Sequence, residues 1–276
     1  MRHTALLQKF FYLFAFPLLL AAIWQLIAII SDKPNSFPRL EAIFSILAKP
    51  GEKVLITGSL LESTIVSLLR VGLGFLSAAA IAVPLGILMG HFRFVQQLLH
   101  STVELLRPVP PLAWVPLILA WFGIRGIIDV FPQLSFSVVI HSIQFSTLII
   151  IFIGSFFPVL LNTIQGVRAI PAEYLESART MGSSGMNLLI KVLIPASLPT
   201  ILTGIRIGLG VGWMCLVAAE MMPGSNSGLG YMIWYAYEMF RTDIVIAGII
   251  VIGVIGLLLD SGIARLERKI ASTIQK

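Results

Sequence analysis

The chain has 276 residues, of which 57% are hydrophobic and 12% are charged, and its mean hydropathy is +0.96. This composition excludes an ordinary soluble domain and indicates an integral membrane protein. The net charge of +6 does not indicate nucleic-acid binding, because the basic residues are scattered between apolar runs. The single cysteine, Cys215, rules out an internal disulfide and a cysteine metal site, and we expect it to be a small buried apolar residue.

The first apolar run, from Phe10 to Ile30, is about as long as a helix needs to cross a bilayer, and Arg2 and Lys9 precede it. A secretory signal peptide is the alternative interpretation of this basic and apolar start. The run is longer than a signal-peptide core and no convincing cleavage site follows it, which favours an uncleaved first span. Residues 31–53 form a mixed polar connector, in which we expect one short helix from Leu40 to Leu47.

The stretch from Val54 to Gly90 is longer than one span, so we interpret it as an amphipathic lead-in followed by a crossing from about Ile65 to Met89. Gly86 and Gly90, four residues apart, permit close contact with another helix. Arg70 is a charge within this apolar stretch. Two interpretations of it remain: it lines a pathway, or its side chain extends to the membrane surface.

Prolines interrupt the next span, RPVPPLAWVPLILAWFGI, which runs from Arg107 to Ile124. A regular helix is impossible before Leu112, because proline lacks a backbone N–H and clashes with the preceding turn. Non-helical backbone at membrane depth is tolerated mainly where it is buried in protein or lines a cavity, so Pro110, Pro111 and Trp114 are candidate pathway residues. A plain interfacial loop before a kinked helix is the alternative.

The fourth crossing is expected from Val138 to Leu161. His141, near its start, is interpreted as interfacial rather than as a metal ligand, because no second histidine or acidic residue lies at metal-binding spacing. We therefore expect no metal site.

A long polar segment, Pro171 to Pro195, follows this span. Pro171 suits the first turn of a helix, and two early acidic residues complement its exposed backbone N–H groups. Gly182 then ends the helix, because a residue just past a helix end often needs a positive φ. The next two serines can cap a second short helix, and Pro195 limits its continuation. The first helix carries one small apolar face, formed by Ala172, Leu175, Ala178 and Met181.

The fifth crossing is expected from Leu198 to Met221, and it contains two ionisable residues, Arg206 and Glu220. Both are candidate pathway residues, because charges within a membrane span are expensive and often functional. Arg206 could attract an anionic solute, but it could equally reach the membrane surface or make a structural contact. Three glycines four residues apart permit close packing, either within one subunit or between two: Gly204, Gly208 and Gly212.

A turn-rich outer loop, GSNSGLG, follows Pro223, the sixth crossing runs from Ile244 to Leu259, and a basic amphipathic tail begins at Ser261. Six crossings place both termini and the polar segment on one side of the membrane. Basic residues prefer the cytoplasmic side, and they are more numerous on this side than on the other, so the polar segment is expected to be cytoplasmic. They are Arg2, Lys9, Arg93, Arg168, Arg179, Lys191, Arg265, Arg268, Lys269 and Lys276, against Lys33, Arg39, Lys49, Lys53, Arg125 and Arg241.

Part of the polar segment resembles the EAA loop of ABC importer permeases, whose pattern is E-A-A, three residues, G, nine residues and I-x-L-P. Serine replaces the first alanine, valine the isoleucine and isoleucine the leucine, and each change is conservative in size. The resemblance implies that these residues form coupling helices that sit in a cleft of a cytoplasmic ATPase subunit. The matching residues are Glu176, Ser177, Ala178, Gly182, Val192, Ile194 and Pro195.

Three further stretches resemble the nitrate, sulfonate and taurine branch of these permeases. They are RPVPPLAWVPLILAWFG, TGIRIGLGVGW at Thr203 to Trp213, and LVAAEM at Leu216 to Met221. The resemblance covers roughly Val54 to Asp260. The connection around Ile127 to Phe145 is longer than the family pattern leads us to expect.

The resemblance implies an all-α polytopic membrane protein with about six transmembrane helices and the type I importer permease fold. Its expected parts are an N-terminal helix and connector in residues 1–53, a permease domain in residues 54–260 and a cytoplasmic tail in residues 261–276. The resemblance further implies the cytoplasmic membrane of a prokaryote, two cytoplasmic ATPase subunits and an extracytoplasmic binding protein that delivers a small anion such as nitrate, a sulfonate, taurine or bicarbonate. Six spans are too few to surround a solute path comfortably, so we expect the chain to pair with a second copy of itself across a two-fold axis. The chain itself is not expected to be an enzyme or to bind a cofactor, because it lacks the GxxxxGK[ST] pattern; ATP and magnesium would bind the ATPase.

Two other classes of protein compete with this interpretation. An ion-driven secondary transporter acting alone would need paired intramembrane carboxylates or an inverted repeat, and the sequence shows neither. A membrane-embedded enzyme would need a histidine or cysteine cluster, or a nucleophile with a base at recognisable spacing, and none is present.

Overall fold

The computed structural model describes the backbone of residues 2–31, 33–56, 58–126, 129 and 142–274, with side chains from residue 15 to residue 270 within those ranges. The chain begins with a long helix, α1 (Arg2–Ser31), and a short helix, α2 (Leu40–Ala48). The short helix confirms the expectation for the connector. The end of α1 is tied to this region, because Trp24 donates to the carbonyl of Pro38 at 3.0 Å and Gln25 accepts from the N–H of Leu40 at 2.9 Å.

A small antiparallel hairpin, β1 (Lys53–Leu55) and β2 (Gly58–Ser59), precedes the second long helix, α3 (Leu60–His91). The stretch predicted as an amphipathic lead-in before Ile65 is a short hairpin followed by the first turn of α3. Ser59 and Glu62 form a reciprocal capping box, in which each side chain accepts from the backbone N–H of the other residue. With this cap, α3 begins at Leu60, five residues before Ile65, where the sequence predicted the crossing to begin.

The third crossing is broken, as the prolines predicted. Helix α4 (Arg93–Leu106) and helix α5 (Val115–Phe122) are separated by a non-helical link and a single 3₁₀ turn, Pro111–Trp114. The two halves are bent by 87° relative to each other. Each proline removes a backbone donor, so the chain cannot continue the α4 ladder of hydrogen bonds through the link.

Helix α6 (Phe145–Arg168) is the fourth crossing, displaced towards the C-terminus from the predicted Val138 to Leu161. Pro158 lies inside this helix without ending it, and the helix continues past Leu161 to Arg168, three residues before Pro171. His141 and most of the long connection before Phe145 lie outside the described residues.

The polar segment contains α7 (Ala172–Thr180) and a one-turn helix, α8 (Gly185–Leu188), and a π-helical turn, Leu189–Leu193, joins α8 to α9 (Ile194–Glu220). The second helix of this segment therefore runs directly into the fifth crossing, where we expected Pro195 to limit it. Proline in a helix clashes with the carbonyl four residues earlier, and the wider π turn accommodates that clash. Residues from Gly185 to Glu220 consequently form one continuous helical unit.

The chain ends with α10 (Leu229–Glu238) and α11 (Thr242–Ile274). Because α11 continues without a break through residues 261–274, the basic tail is the end of the last helix. Within the described residues, four helices are long and apolar enough to cross a membrane, and the bent pair α4 and α5 gives up to five. The part of α1 from Ala15 to Ser31 is a shorter apolar helix.

Helix α6 packs between α3 and α9, and glycines make these close approaches possible. A Cβ atom on Gly86 or Gly90 of α3 would lie within 2.7 Å of side chains on α6, and one on Gly204 or Gly208 of α9 would lie within 2.6 Å of side chains on α6. The expected contact of Gly86 and Gly90 is confirmed. Their spacing alone permitted packing either within one subunit or between two, and in this structure the α9 glycines pack against α6 of the same subunit.

Candidate functional site

The polar segment between α6 and α9 lies almost entirely at the surface. Helix α7 contains no buried residue. Its half-buried Leu175 packs against a small hydrophobic core formed by Ile87, Val167 and Leu193. Glu176 and Ser177 are exposed and Ala178 is half-buried. The small apolar face predicted for this helix is therefore largely uncovered by the chain itself.

Gly182 has the positive φ that the sequence predicted, +86°. The N–H of Ser183 donates to the carbonyl of Ala178 at 3.0 Å, and the N–H of Gly182 donates to the carbonyl of Arg179 at 2.9 Å. This pair of bonds is the Schellman arrangement that ends many helices. The four-residue spacing from Ala178 to Gly182 thus has a structural cause: the two residues occupy fixed positions in one helix-ending turn.

The second half of the segment connects this turn to the membrane helix. Ser184 occupies the N-cap of α8 but its side chain makes no capping bond. Val192 and Ile194 are half-buried, and Pro195 lies in the first turn of α9. The helical unit that begins at Gly185, three residues after Gly182, therefore continues without a break into the membrane helix.

A buried ion pair lies at the other end of α9. Arg70 of α3 donates to the Glu220 carboxylate at 2.8 Å, and both side chains have no exposed surface. Ser67 also donates to this carboxylate at 2.9 Å, and the N–H of Gly230 donates to it at 3.0 Å. The carboxylate is thus fully partnered, which a charge removed from water requires.

The remaining donors of Arg70 hold the outer loop. Its guanidinium donates to the carbonyl and hydroxyl of Ser227, at 2.7 and 2.9 Å, and also contacts the carbonyl of Ser142. Ser67 accepts from the N–H of Leu229 at 2.9 Å. Arg70 therefore neither reaches the membrane surface nor lines a cavity in this structure; it fastens the GSNSGLG loop and the start of α10 to the helix bundle.

Sequence reasoning selected Arg70 and Glu220 separately but missed that they pair. The available signal was that both are charges of opposite sign within apolar spans, where such groups usually find partners. No comparable feature of the sequence pointed to Ser67 and Ser227 as partners of this ion pair, because serine is common in membrane helices and loops.

The candidate pathway residues do not come together in one place. Pro111 lines a cavity beside α6, whereas Trp114 packs against a small core around Val115, Ile118 and Ile150. Pro110 is exposed at the start of the 3₁₀ turn.

The two charged candidates of α9 lie elsewhere. Arg206 pairs with Asp260 of α11 through two hydrogen bonds of 2.6 and 2.8 Å. Glu220 lies inside the packed bundle. Among the described residues, no group of three His, Cys, Asp or Glu side chains could hold a metal ion.

Comparisons with known proteins give a consistent result. Residues 82–272 match the family model described as "Binding-protein-dependent transport system inner membrane component". A putative ABC transporter permease protein of Methanocaldococcus jannaschii is 51% identical over 92% of this chain and 88% of its own length. The taurine transport system permease protein TauC of Escherichia coli is 36% identical over 84% of this chain and 78% of its own length. Other relatives, 35 to 38% identical, are named as permeases for aliphatic sulfonates, bicarbonate or nitrate.

A solved structure has a similar fold. It is the crystal structure of a bacterial alginate ABC transporter in complex with a periplasmic protein bound to an alginate pentasaccharide. One of its chains superposes with a TM-score of 0.60 at 16% identity, covering 95% of this chain and 96% of that chain.

Proposed function

The chain belongs to the family of inner-membrane components of binding-protein-dependent transport systems, and from that premise we propose that it is the permease subunit of an ATP-driven importer for a small anion. The permease relatives named for taurine, sulfonates, bicarbonate and nitrate support this solute class. The observation that carries the proposal for this chain is the exposed polar segment between α6 and α9, which has the geometry of a docking element.

Exposed apolar side chains on this segment support docking to a protein. Tyr174 is 67% exposed, Met181 is 86% exposed, Met186 is 68% exposed and Ile190 is 54% exposed. Large apolar groups clustered on a polar segment mark interaction sites, and methionine adapts to the shape of a partner. We assign the docking surface to these four residues and to Glu176, which can make polar contacts at its edge.

The partner for this surface is a cytoplasmic ABC ATPase, which would bind the ATP and magnesium. When two ATPase subunits close on ATP, they would push on the turn at Gly182. The continuous helical unit from Gly185 to Glu220 would carry that push across the membrane. The chain would then work by changing shape and would catalyse no covalent step.

The rest of the assembly follows from the same proposal. An extracytoplasmic binding protein would deliver the solute, and a second copy of this chain, related by a two-fold axis, would complete the pathway. The membrane would be the cytoplasmic membrane of a prokaryote, with both termini in the cytoplasm.

Gly182→Val provides the test of coupling. Valine at φ +86° is strained, so the Schellman turn should deform. We expect the variant to remain in the membrane and to lose most solute uptake. When the tagged variant is gently solubilised and purified, less ATPase should co-purify with it than with the unmodified chain. The same purification of the unmodified chain measures whether the complex contains two permease copies and two ATPase subunits.

Two control variants separate a local effect from general damage. Gly182→Asn should retain coupling, because asparagine tolerates positive φ. Gly51→Val places the same side chain in the connector, where a Cβ meets no described atom within 4 Å, and should behave like the unmodified protein. Normal uptake by Gly182→Val, or a chain that purifies alone and still transports, would refute the proposal.

A further inference from the structure

A cavity of about 420 Å³ lies where the third crossing is broken. Small-molecule sites commonly have volumes of roughly 300–1,000 Å³. The non-helical link between α4 and α5 forms one wall of this cavity, and helices α6 and α9 form the others. Among its lining residues are Arg107, Pro111, Ile153, Gly154, Phe157 and Val211.

The cavity lies level with the middle of α6. Helix α6 runs from Phe145 to Arg168, and its residues on the cavity wall extend only from Ile153 to Leu161. A charged side chain at this depth is expensive in a membrane unless it faces water, a partner or a ligand. Arg107 meets this requirement through its partner Glu104 and its partial exposure, and its place on the cavity wall leaves it open to a ligand as well.

Arg107 is the only charged residue among the described residues that line the cavity. Its side chain is 47% exposed, and its ion pair with Glu104, 3.1 Å long, joins two exposed groups on the last turn of α4. Such exposed pairs are weak. The guanidinium has five N–H donors in a planar fork that matches the oxygens of an anion. It can therefore bind a solute while losing little of the stabilisation that its ion pair with Glu104 provides.

The backbone of the link offers almost no further donor. Pro108 and Pro111 have no N–H, and the N–H of Val109 already donates to the carbonyl of Leu106 at 3.1 Å. The walls from α6 and α9 are mainly hydrocarbon. The charged head of either kind of anion needs donors to replace its hydration, whereas apolar walls add favourable contacts only for an anion that carries a carbon chain.

We propose that this cavity is a binding site on the solute pathway, in which Arg107 holds the anionic head group and the apolar walls hold a short carbon chain. The site fits an organic anion such as an alkanesulfonate better than nitrate or bicarbonate. This inference rests on the proposed function, because it identifies the solute class of the same importer. Arg107 selects for a negative charge, and the apolar walls select for a carbon chain.

A thiol-labelling experiment tests the site directly. In the full-length chain with Cys215→Ala, a Val109→Cys substitution places a thiol on the cavity wall, and the neutral reagent N-ethylmaleimide reports its accessibility. We expect ethanesulfonate to slow this labelling, and nitrate and bicarbonate to slow it less. Arg107→Gln should weaken the protection about tenfold, the factor expected for losing a charge-assisted hydrogen bond, and Arg107→Lys should preserve part of it.

Leu76→Cys is the matched control, because Leu76 lies midway along α3 and is 63% exposed away from the cavity. Its labelling should not respond to ethanesulfonate. The site would be overturned if ethanesulfonate did not slow the labelling of Val109→Cys. It would also be overturned if ethanesulfonate protected this thiol equally well with and without the Arg107→Gln substitution. Protection by nitrate or bicarbonate equal to that by ethanesulfonate would overturn the preference for an organic anion.

Uptake measurements separate this inference from the importer proposal. In cells with the co-purifying ATPase and binding protein, Arg107→Gln should reduce uptake of labelled ethanesulfonate while the ATPase still co-purifies. Glu104→Gln, which frees Arg107 from its ion pair, should not reduce uptake. Protection of the thiol without any ATP-dependent uptake would leave the site standing and contradict the importer. Uptake that Arg107→Gln does not change would leave the importer standing and contradict the site.

Discussion

Arg70 and Glu220 are 150 residues apart in the chain, and their contact holds three helices and a loop together. Removing one charge leaves the other buried without its partner, which in proteins costs roughly 3–5 kcal/mol. We expect Glu220→Ala to be strongly destabilised, and the double variant Arg70→Met with Glu220→Leu to be less destabilised than Glu220→Ala alone. The measurement is the temperature at which half of the detergent-purified protein aggregates.

A surface pair gives the control for this prediction. Lys49 and Glu52 lie 3.0 Å apart with both side chains 66% exposed, so Glu52→Gln should change stability by less than about 1 kcal/mol. If Glu220→Ala melts at the temperature of the unmodified protein, the buried pair does not stabilise the fold.

At the scale of helices, two of the glycines of α9, Gly208 and Gly210, differ in what faces them. A Cβ on Gly208 would lie 2.6 Å from the Val159 side chain and 2.9 Å from the carbonyl oxygen of Ser155, whereas one on Gly210 would meet no described atom within 4 Å. The Ser155 contact is with backbone, so α9 and α6 would have to separate. Gly208→Ala should therefore lower the aggregation temperature. Gly210→Ala should leave it unchanged or raise it, since alanine favours helix by up to about 1 kcal/mol; equal effects would contradict this packing.

The helices themselves were largely predictable, and their junctions were not. Runs of apolar residues predicted the spans, and the prolines from Pro108 to Pro111 predicted the break before α5. The position of Gly182 predicted the positive φ of the turn. The π turn before α9 was not predictable, because proline usually signals a helix start or stop and no residue pattern here signals a wider turn. The pairing of Arg70 with Glu220 depends on tertiary contact, and a single sequence contains no direct record of that distance.

At the scale of the whole molecule, the unit from Gly185 to Glu220 is long enough to connect the two membrane surfaces. Its 36 residues extend about 54 Å at 1.5 Å per residue, which exceeds the roughly 40–45 Å thickness of a bilayer with its head groups. One end carries the turn at Gly182 and the other carries the ion pair that fastens the outer loop. The two ends should therefore be exposed on opposite sides of the membrane.

Cysteine labelling in intact cells checks this orientation. Met181 is 86% exposed beside the turn and Asn226 is exposed in the outer loop, so each accepts a cysteine in a Cys215→Ala background. We expect a membrane-impermeant thiol reagent to label Asn226→Cys in intact cells and Met181→Cys only after the membrane is permeabilised. Labelling of both from outside would contradict a single crossing by this unit. Labelling of Met181→Cys alone in intact cells would place the docking surface outside the cytoplasm, where an ATPase has no ATP, and would contradict the proposed coupling.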